Sequence, residues 1–379
     1  MSIEMTLTDE QKRIQQLTRD FTAEHIIPIA AEHDRTKEFP SFIIKKALEA
    51  GIFPHSIPKE YGGPGHDVIS QAIIVEELGY GCCSFANLMT GNLLSAHLVR
   101  LAGTEDQKKF YIGKILEGNV AGFALTEPGA GSDAAAVATT AKLDGNEWVL
   151  NGSKCFASFC SYAEAMLVIA TTDPSKGVKG LSAFIVERKH LTGSNAEHKL
   201  GLRCSDSAEL SLKNVRIPKE NLVGQEGEGF TYAMQTLDVF RATVGCVAVG
   251  CARRAYDEAL KYCQEHLDAD GKPLFKNQAV SFKLADMATR IEAARDLLYD
   301  VVKLKEKGGR MSKEASMVKV FTTDSAMEIA REAVKLMGCK GYSKDSVVEK
   351  LMRDIKIYQI FEGSNQIQRL VISRALLNS

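Results

Sequence analysis

The sequence predicts an α+β protein in three parts: helical over residues 1–122, strand-rich over 123–228 and a helical bundle over 229–379. Three observations predict it. Apolar residues at helical spacing dominate the first third. From about Val137 the pattern changes to short alternating or apolar runs punctuated by glycine and proline. Beyond Gly229 helical spacing returns in segments far longer than any strand. A chain of 379 residues that is 45% hydrophobic and 25% charged is long enough for two or three packed units and lacks the composition of a disordered protein.

In chain order, Thr8 and Gln11 make a capping box ahead of Ile14, Leu17 and Phe21 at helical spacing. Pro40-Ser41 opens a second helix that ends at Gly51. The run from Pro58 to Pro64 is a turn-rich break, after which Val68 to Leu101 reads as long helices with mostly apolar faces. Ala141-Lys142-Leu143 and Trp148-Val149-Leu150 flank Asp144-Gly145-Asn146-Glu147, a hairpin signal. Further strands are expected at 165–170, 181–186 and 208–212. Helices are then expected from Ala233 to Cys263, Gln278 to Lys307, Lys313 to Met337 and after Ser364; four long helices imply a bundle.

Several functions are excluded by bulk properties. Lys plus Arg number 47 against 48 Asp plus Glu, a net charge of −1, so no global basic field draws in nucleic acid or an anionic membrane. The N-terminus lacks a basic stretch followed by an apolar core, and no run approaches spanning length, so the expectation is a soluble cytoplasmic protein without membrane insertion. Nine cysteines, an odd number without secretory features, read as reduced thiols. Cys155 with Cys160 and Cys246 with Cys251 are spaced C-x4-C but lack the C-x2-C partner of an iron-sulfur loop, which favours packing over metal ligation.

The most informative stretch is Ile357-Tyr358-Gln359-Ile360-Phe361-Glu362-Gly363-Ser364, which wedges one acid between an apolar, partly aromatic run and a glycine. A carboxylate in that setting is expected to be partly desolvated, which raises its pKa and makes it a stronger base. Gly363 allows close approach of backbone to ligand. Taken alone, the same residues also fit a solvated glutamate at a helix end. Other segments recur around it: Leu125-Thr126-Glu127-Pro128-Gly129-Ala130-Gly131-Ser132-Asp133, then Pro218-Lys219-Glu220-Asn221-Leu222, then Gly227-Glu228-Gly229-Phe230.

In this order the segments resemble the acyl-CoA dehydrogenase family, FAD enzymes that interconvert acyl-CoA and 2,3-enoyl-CoA thioesters, and the resemblance covers essentially the whole chain. It implies a fold in which an N-terminal helical domain, a barrel-like middle domain and a four-helix bundle enclose a flavin. It implies Glu362 as the base, its own N–H holding the thioester oxygen, and electrons exchanged with electron-transfer flavoprotein. On the flavin side it implies Phe123, Leu125, Thr126 and Ser132 from the glycine loop, with Phe156 packing on the ring and Ser158 bonding near N5. Ser132, Asp238, Arg241 and Gly363 are implied on the substrate side. Phe240 stands where some family branches carry the catalytic glutamate, which leaves Glu362 as the candidate.

For the rest of FAD, gripped in this family partly by a neighbouring subunit of a homotetramer or homodimer, the resemblance implies Gln278, Ser364 and Gln366. Here the sequence departs from the pattern. Phe156 replaces the usual tryptophan, the one tryptophan being Trp148, and Phe159-Cys160 replaces a common Asn-Gly pair. His266 and its acidic neighbours Asp268 and Asp270 stand where an arginine and a phenylalanine are usual. Lys335 and Gly338-Cys339 replace a glutamine and a second glycine; His266 is read as a phosphate donor that Asp268 and Asp270 oppose, and Lys335 as a phosphate partner that offsets the lost arginine. Phe85, Met89, Thr90, Phe159, Phe240 and Phe361 are expected to line the acyl pocket. These departures also motivate an alternative, a flavin-free, non-catalytic CoA-thioester-binding or assembly subunit on the same scaffold.

Overall fold

The computed structural model describes residues 7–306 and 311–377. Helix α1 (Asp9–Phe21) starts at the expected capping box: the Gln11 N–H donates to the Thr8 hydroxyl at 3.2 Å and the Thr8 N–H to the Gln11 side chain at 3.0 Å. A π-helical turn over 22–26 carries it into α2 (Ile27–Thr36), with Pro28, which has no N–H to donate, at the junction where the π turn gives way to α2. α3 (Phe42–Glu49) follows. The expected run from Val68 is two helices, α4 (Val68–Gly81) and α5 (Cys83–Ala102), because Cys82 adopts an extended conformation between them. α6 (Glu105–Leu116), which was not expected, opens with a second capping box at Thr104 and Gln107.

The strands form one sheet from β1 (Val120–Ala124), β2 (Thr140–Asp144), β3 (Glu147–Ser158), β4 (Ala163–Thr171), β5 (Leu181–Glu187), β6 (Thr192–Ala196), β7 (Ser207–Pro218) and β8 (Leu222–Val223). Their order is β6-β7-β3-β1-β4-β5-β8, and β2 pairs with both β3 and β4. Strands β3, β1, β4 and β2 therefore close a circuit, the structural content of the barrel-like expectation. The hairpin forms as expected, with Asp144 opposite Glu147. Alternation along β4 sends Met166, Val168 and Ala170 into the strand core beside Trp148 and Phe184, and Leu167 and Ile169 into the larger core shared with the helices. Trp148 packs edge-on against Phe184 at 5.2 Å, a structural role. Strands β1, β6 and β8 were not expected.

The C-terminal part contains α7 (Gly229–Glu265), α8 (Gln278–Glu306), α9 (Ser312–Leu336), α10 (Gly338–Tyr342), α11 (Val347–Ile355) and α12 (Asn365–Leu377). Helix α9 packs against α7, α8 and α12, which makes the expected bundle, while α10 and α11 are additions to it. Helix α4 lies on α7 backbone to backbone: a Cβ on Gly250 would meet the Glu76 carbonyl at 2.1 Å, and one on Gly79 the Val247 carbonyl at 2.7 Å. The strand-rich part is fastened to α11, where the Leu202 N–H donates to Asp354 at 2.8 Å, so the chain entering the Glu362 loop is held from the sheet side. All nine cysteine thiols are free, and no described helix is long and apolar enough to cross a membrane.

Candidate active site

After α11 a 3-10 turn over Lys356–Gln359 leads into a loop that only particular residues can make. Glu362 has φ +54° and Gly363 φ +89°, two consecutive residues in the left-handed region. For a glutamate that conformation costs on the order of 1–3 kcal/mol and persists only where the surroundings enforce it. They do so here. The fully buried Gln368 side chain, one turn into α12, donates to the carbonyls of Glu362 at 3.1 Å and Gly363 at 2.8 Å. The equally buried Lys319 of α9 donates to the Gly363 carbonyl at 3.0 Å and to Asn365 Oδ1 at 2.8 Å.

The held loop encloses the carboxyl group. Glu362 is only partly covered as a residue, yet its Oε2 is buried and has no hydrogen-bond partner. Burial pushes its pKa up to about 7, against the opposing pull of the nearby Lys319 and Arg241 cations. Burial likewise pulls Lys319 down to about 8, with the Glu362 charge resisting. Arg241, buried on α7, donates to Asp238 one turn earlier, and the other Asp238 oxygen accepts from Ser312 at the start of α9. Asp238 is thus committed to fixing Arg241 and α9. A buried carboxyl balanced near neutrality between two cations can take up or give up a proton with little change in driving force.

Four expected residues, Glu362, Gly363, Arg241 and Asp238, therefore meet. Sequence reasoning missed Lys319, Gln368 and Ser312. Lys319 lies 44 positions before its partner Gly363 and resembles any other helix lysine in the sequence; its burial at four-residue spacing with Ala315 and Thr323 was the available signal.

A second group gathers at the ends of β1 and β3. Phe123 pairs with Ser158 in register, and the Thr126 carbonyl accepts from the Cys155 N–H at 3.0 Å, which brings Phe123, Leu125, Thr126, Phe156 and Ser158 side by side. Phe156 has left-handed backbone, φ +52°, and the residue is 59% exposed. The adjoining loop folds back through paired Glu127 and Ala130 and carries the exposed Ser132. It is anchored by a buried ion pair that was not foreseen: Lys154 donates to Glu127 at 2.7 Å and to the Leu125 carbonyl at 3.0 Å, while Glu127 also accepts from the Ala138 and Thr139 N–H groups.

The third group is divided. Ser364 and Gln366 begin α12 beside Glu362. His266 caps α7, stacks on Tyr262 with ring centres 3.7 Å apart and is joined to the approach to Gln278 by the bond from the Leu274 N–H to the His266 carbonyl. Lys335 and Gly338 lie at the end of α9, which the Lys283–Glu332 pair ties to the start of α8. Lys319 and Lys335 are 16 residues apart on one helix, about 24 Å at 1.5 Å per residue, so His266, Gln278, Lys335 and Gly338 sit far along the bundle from Glu362. All four are exposed. Of the expected pocket residues, Phe85, Met89, Thr90, Phe159 and Phe240 are buried and Phe361 is half-buried; Phe85 packs edge-on against His33 at 5.7 Å.

The chain matches the family descriptions "Acyl-CoA dehydrogenase, N-terminal domain" over residues 8–119, "Acyl-CoA dehydrogenase, middle domain" over 122–215 and "Acyl-CoA dehydrogenase, C-terminal domain" over 227–377. It is 40% identical to the short-chain specific acyl-CoA dehydrogenase of Clostridium acetobutylicum, over 98% of this chain and 99% of that protein. It is 39% identical to acryloyl-CoA reductase (NADH) of Anaerotignum propionicum, over 99% and 96%. A chain solved in work on the electron transferring flavoprotein of Acidaminococcus fermentans and flavin-based electron bifurcation superposes with TM-score 0.95 at 42% identity, covering 98% of this chain and 99% of that one. Three adjoining domain matches and relatives of this closeness over nearly full length place the chain in the acyl-CoA dehydrogenase family, oxidoreductases acting on a CH–CH group.

Proposed function

We propose that this protein catalyses the FAD-dependent interconversion of an acyl-CoA and its 2,3-enoyl-CoA, with Glu362 removing the α-proton in dehydrogenation and returning it in reduction. One observation carries the reading: a buried, unpartnered carboxyl oxygen on left-handed backbone, with its pKa near 7 and two cations beside it. A surface glutamate has none of these features. Family relatives are named both as dehydrogenases and as a reductase, so the physiological direction belongs to neither by default.

The residues present fit a flavin. Phe156 offers an exposed aromatic face at the ends of β1 and β3, and a Cβ added to Gly129 or Gly131 would meet no atom within 4 Å, so the loop presents open backbone. When bound, FAD would accept or return the hydride at the substrate β-carbon. Phe123, Leu125, Thr126, Ser132, Phe156 and Ser158 would hold its ring. Gln278, Ser364, Gln366, His266, Lys335 and Gly338 would hold the remainder, with the distant group serving a neighbouring copy. The exposed Phe282, Leu267 and Tyr342 and, on α12, Leu370, Leu376 and Leu377 support the association of copies into a homotetramer or homodimer.

The chain's own part is to place and tune the proton-transfer group. Glu362 holds or releases a proton at the substrate α-carbon; its backbone N–H donates to the thioester oxygen as negative charge develops there, a contribution of about 3 kcal/mol for a well-placed donor. Arg241, Gly363, Ser132 and Asp238 shape the substrate side. Electron-transfer flavoprotein is the proposed redox partner, and a cytoplasmic location accords with nine free thiols.

Anaerobic addition of an acyl-CoA panel to the purified flavoprotein is expected to bleach the flavin. Glu362→Gln should retain flavin and thioester binding but slow bleaching by on the order of 10² to 10⁴. Bleaching at the unaltered rate in that variant would falsify the assignment of the base.

A further inference from the structure

We propose that the cavity between α4, α5, α7 and the end of α8 binds the anionic group, a carboxylate or a phosphate, of a small ligand. The cavity is about 460 Å³, within the range of small-molecule pockets. No residue of the Glu362 loop lines it. The charge of this cavity carries the free-anion form independently of the reaction proposed above, and only the acyl-terminus form rests on that reaction.

Its walls bring together Arg100, Lys305, His55, His66 and His97, and the only carboxylate among the lining residues is Glu60, on the exposed rim. Arg100 is satisfied by neutral acceptors: the Ser56 carbonyl at 2.8 Å and His97 Nδ1 at 3.3 Å. Among the described residues, neither Arg100 nor Lys305 lies within ion-pair distance of a carboxylate. Cations removed from water are ordinarily paired, because the cost of desolvation must be offset by an opposite charge. Here two cations converge instead. Burial and Arg100 both draw the Lys305 pKa down, and burial draws Arg100 down.

The histidines add directed donors. An arginine can only donate, so His97 accepts at Nδ1 and carries its proton on Nε2. His55 is 4% exposed, lines the cavity and has no hydrogen-bond partner for Nδ1. Burial holds His55 at about 3 and His97 at about 4, so both are neutral at physiological pH and act as hydrogen-bonding groups around the two fixed charges. A carboxylate or phosphate entering the cavity supplies the missing counter-charge and acceptors for these donors.

The cavity also backs onto the candidate active site. Phe240 lines it and meets the His97 ring edge-on at 6.0 Å, while the next residue, Arg241, faces Glu362. Met311 lines it while Ser312 bonds Asp238. The anion can therefore come from two sources, a free small molecule or the far end of an acyl chain whose thioester lies beside Glu362.

The test uses the flavin-loaded protein in calorimetric titrations with inorganic phosphate, glutarate and adipate, and in kinetics comparing adipoyl-CoA with hexanoyl-CoA. Saturable binding of a free anion identifies an independent site; a preference for adipoyl-CoA without it identifies the acyl terminus. Either result supports the proposal if Arg100→Gln or Lys305→Gln weakens the effect about tenfold while circular dichroism and flavin content remain unchanged. Two substitutions are used so that one survives if the other fails to fold. Absence of both effects at millimolar concentration, or effects unchanged in a folded variant, overturns it.

Discussion

The two ends of helix α9 differ in how complete they are. Near its start, Lys319, together with Gln368 and Arg241, builds a buried setting around Glu362 entirely from one chain. Near its end, Lys335 projects from the surface with Gly338, His266 and Gln278, all exposed. Groups meant to contact a ligand are costly to leave half-built in a buried site, because each unpaired polar atom loses its hydration. They cost little at a surface, where water serves until a partner arrives. Under the proposed function, the contrast is between a proton-transfer site built within one chain and a far grip on FAD that a second copy would complete.

The strongest way to break the inner half of this comparison is Gly363→Ala. The position has φ +89°, and a Cβ there would stand 2.5 Å from the Gln368 amide nitrogen that holds the loop. The strain is about 1–2 kcal/mol for an L-residue in left-handed backbone, and displacing Glu362 by an ångström can cost on the order of 10² in rate. The expected result is a loss of kcat of that size with flavin content intact, read by steady-state assay and absorbance. Unchanged kcat would mean that the loop geometry is not what positions the base.

A smaller effect sharpens the role of Lys319. Dehydrogenation needs Glu362 ionised, so its rate should rise with pH through about 7; the reverse reduction needs it protonated and should fall through the same range. Lys319 and Arg241 hold that carboxyl below where burial alone would put it. Lys319→Met removes one of them, so both limbs should move to higher pH, by about one unit, with about a fivefold loss of dehydrogenation at neutral pH. A purely structural lysine would lower stability without moving the profile, so pH–rate curves separate the two roles.

How much of this could be read from the chain depended on whether the signal was local. The Thr8–Gln11 cap, the hairpin at Asp144 to Glu147 and the long bundle helices follow from spacing within one element, and Glu362 stood out because its own neighbours are apolar. Strand β1 did not, since Val120–Ala124 is short and buried on both faces, which erases alternation. Lys319, Lys154 and the cavity residues Arg100 and Lys305 were illegible for a different reason. Their environments are made by residues far away in sequence, and nothing beside them in the chain marks them as buried.

The outer half of the comparison predicts the smallest effect and the most particular one. Lys335→Ala removes an exposed cation about 24 Å along α9 from Lys319 by the helix rise, so kcat at saturating FAD should stay within about twofold, while FAD affinity should fall roughly tenfold for one lost charge-assisted contact to phosphate. If that contact is made to FAD seated on a neighbouring copy, diluting the wild-type protein should itself release flavin as copies separate, and Lys335→Ala should make the release occur at higher protein concentration. Flavin fluorescence against protein concentration, paired with sedimentation velocity, reads both. Flavin retained by a monomer with unaltered affinity would show that one chain completes its own site, and would erase the difference between the two ends of α9.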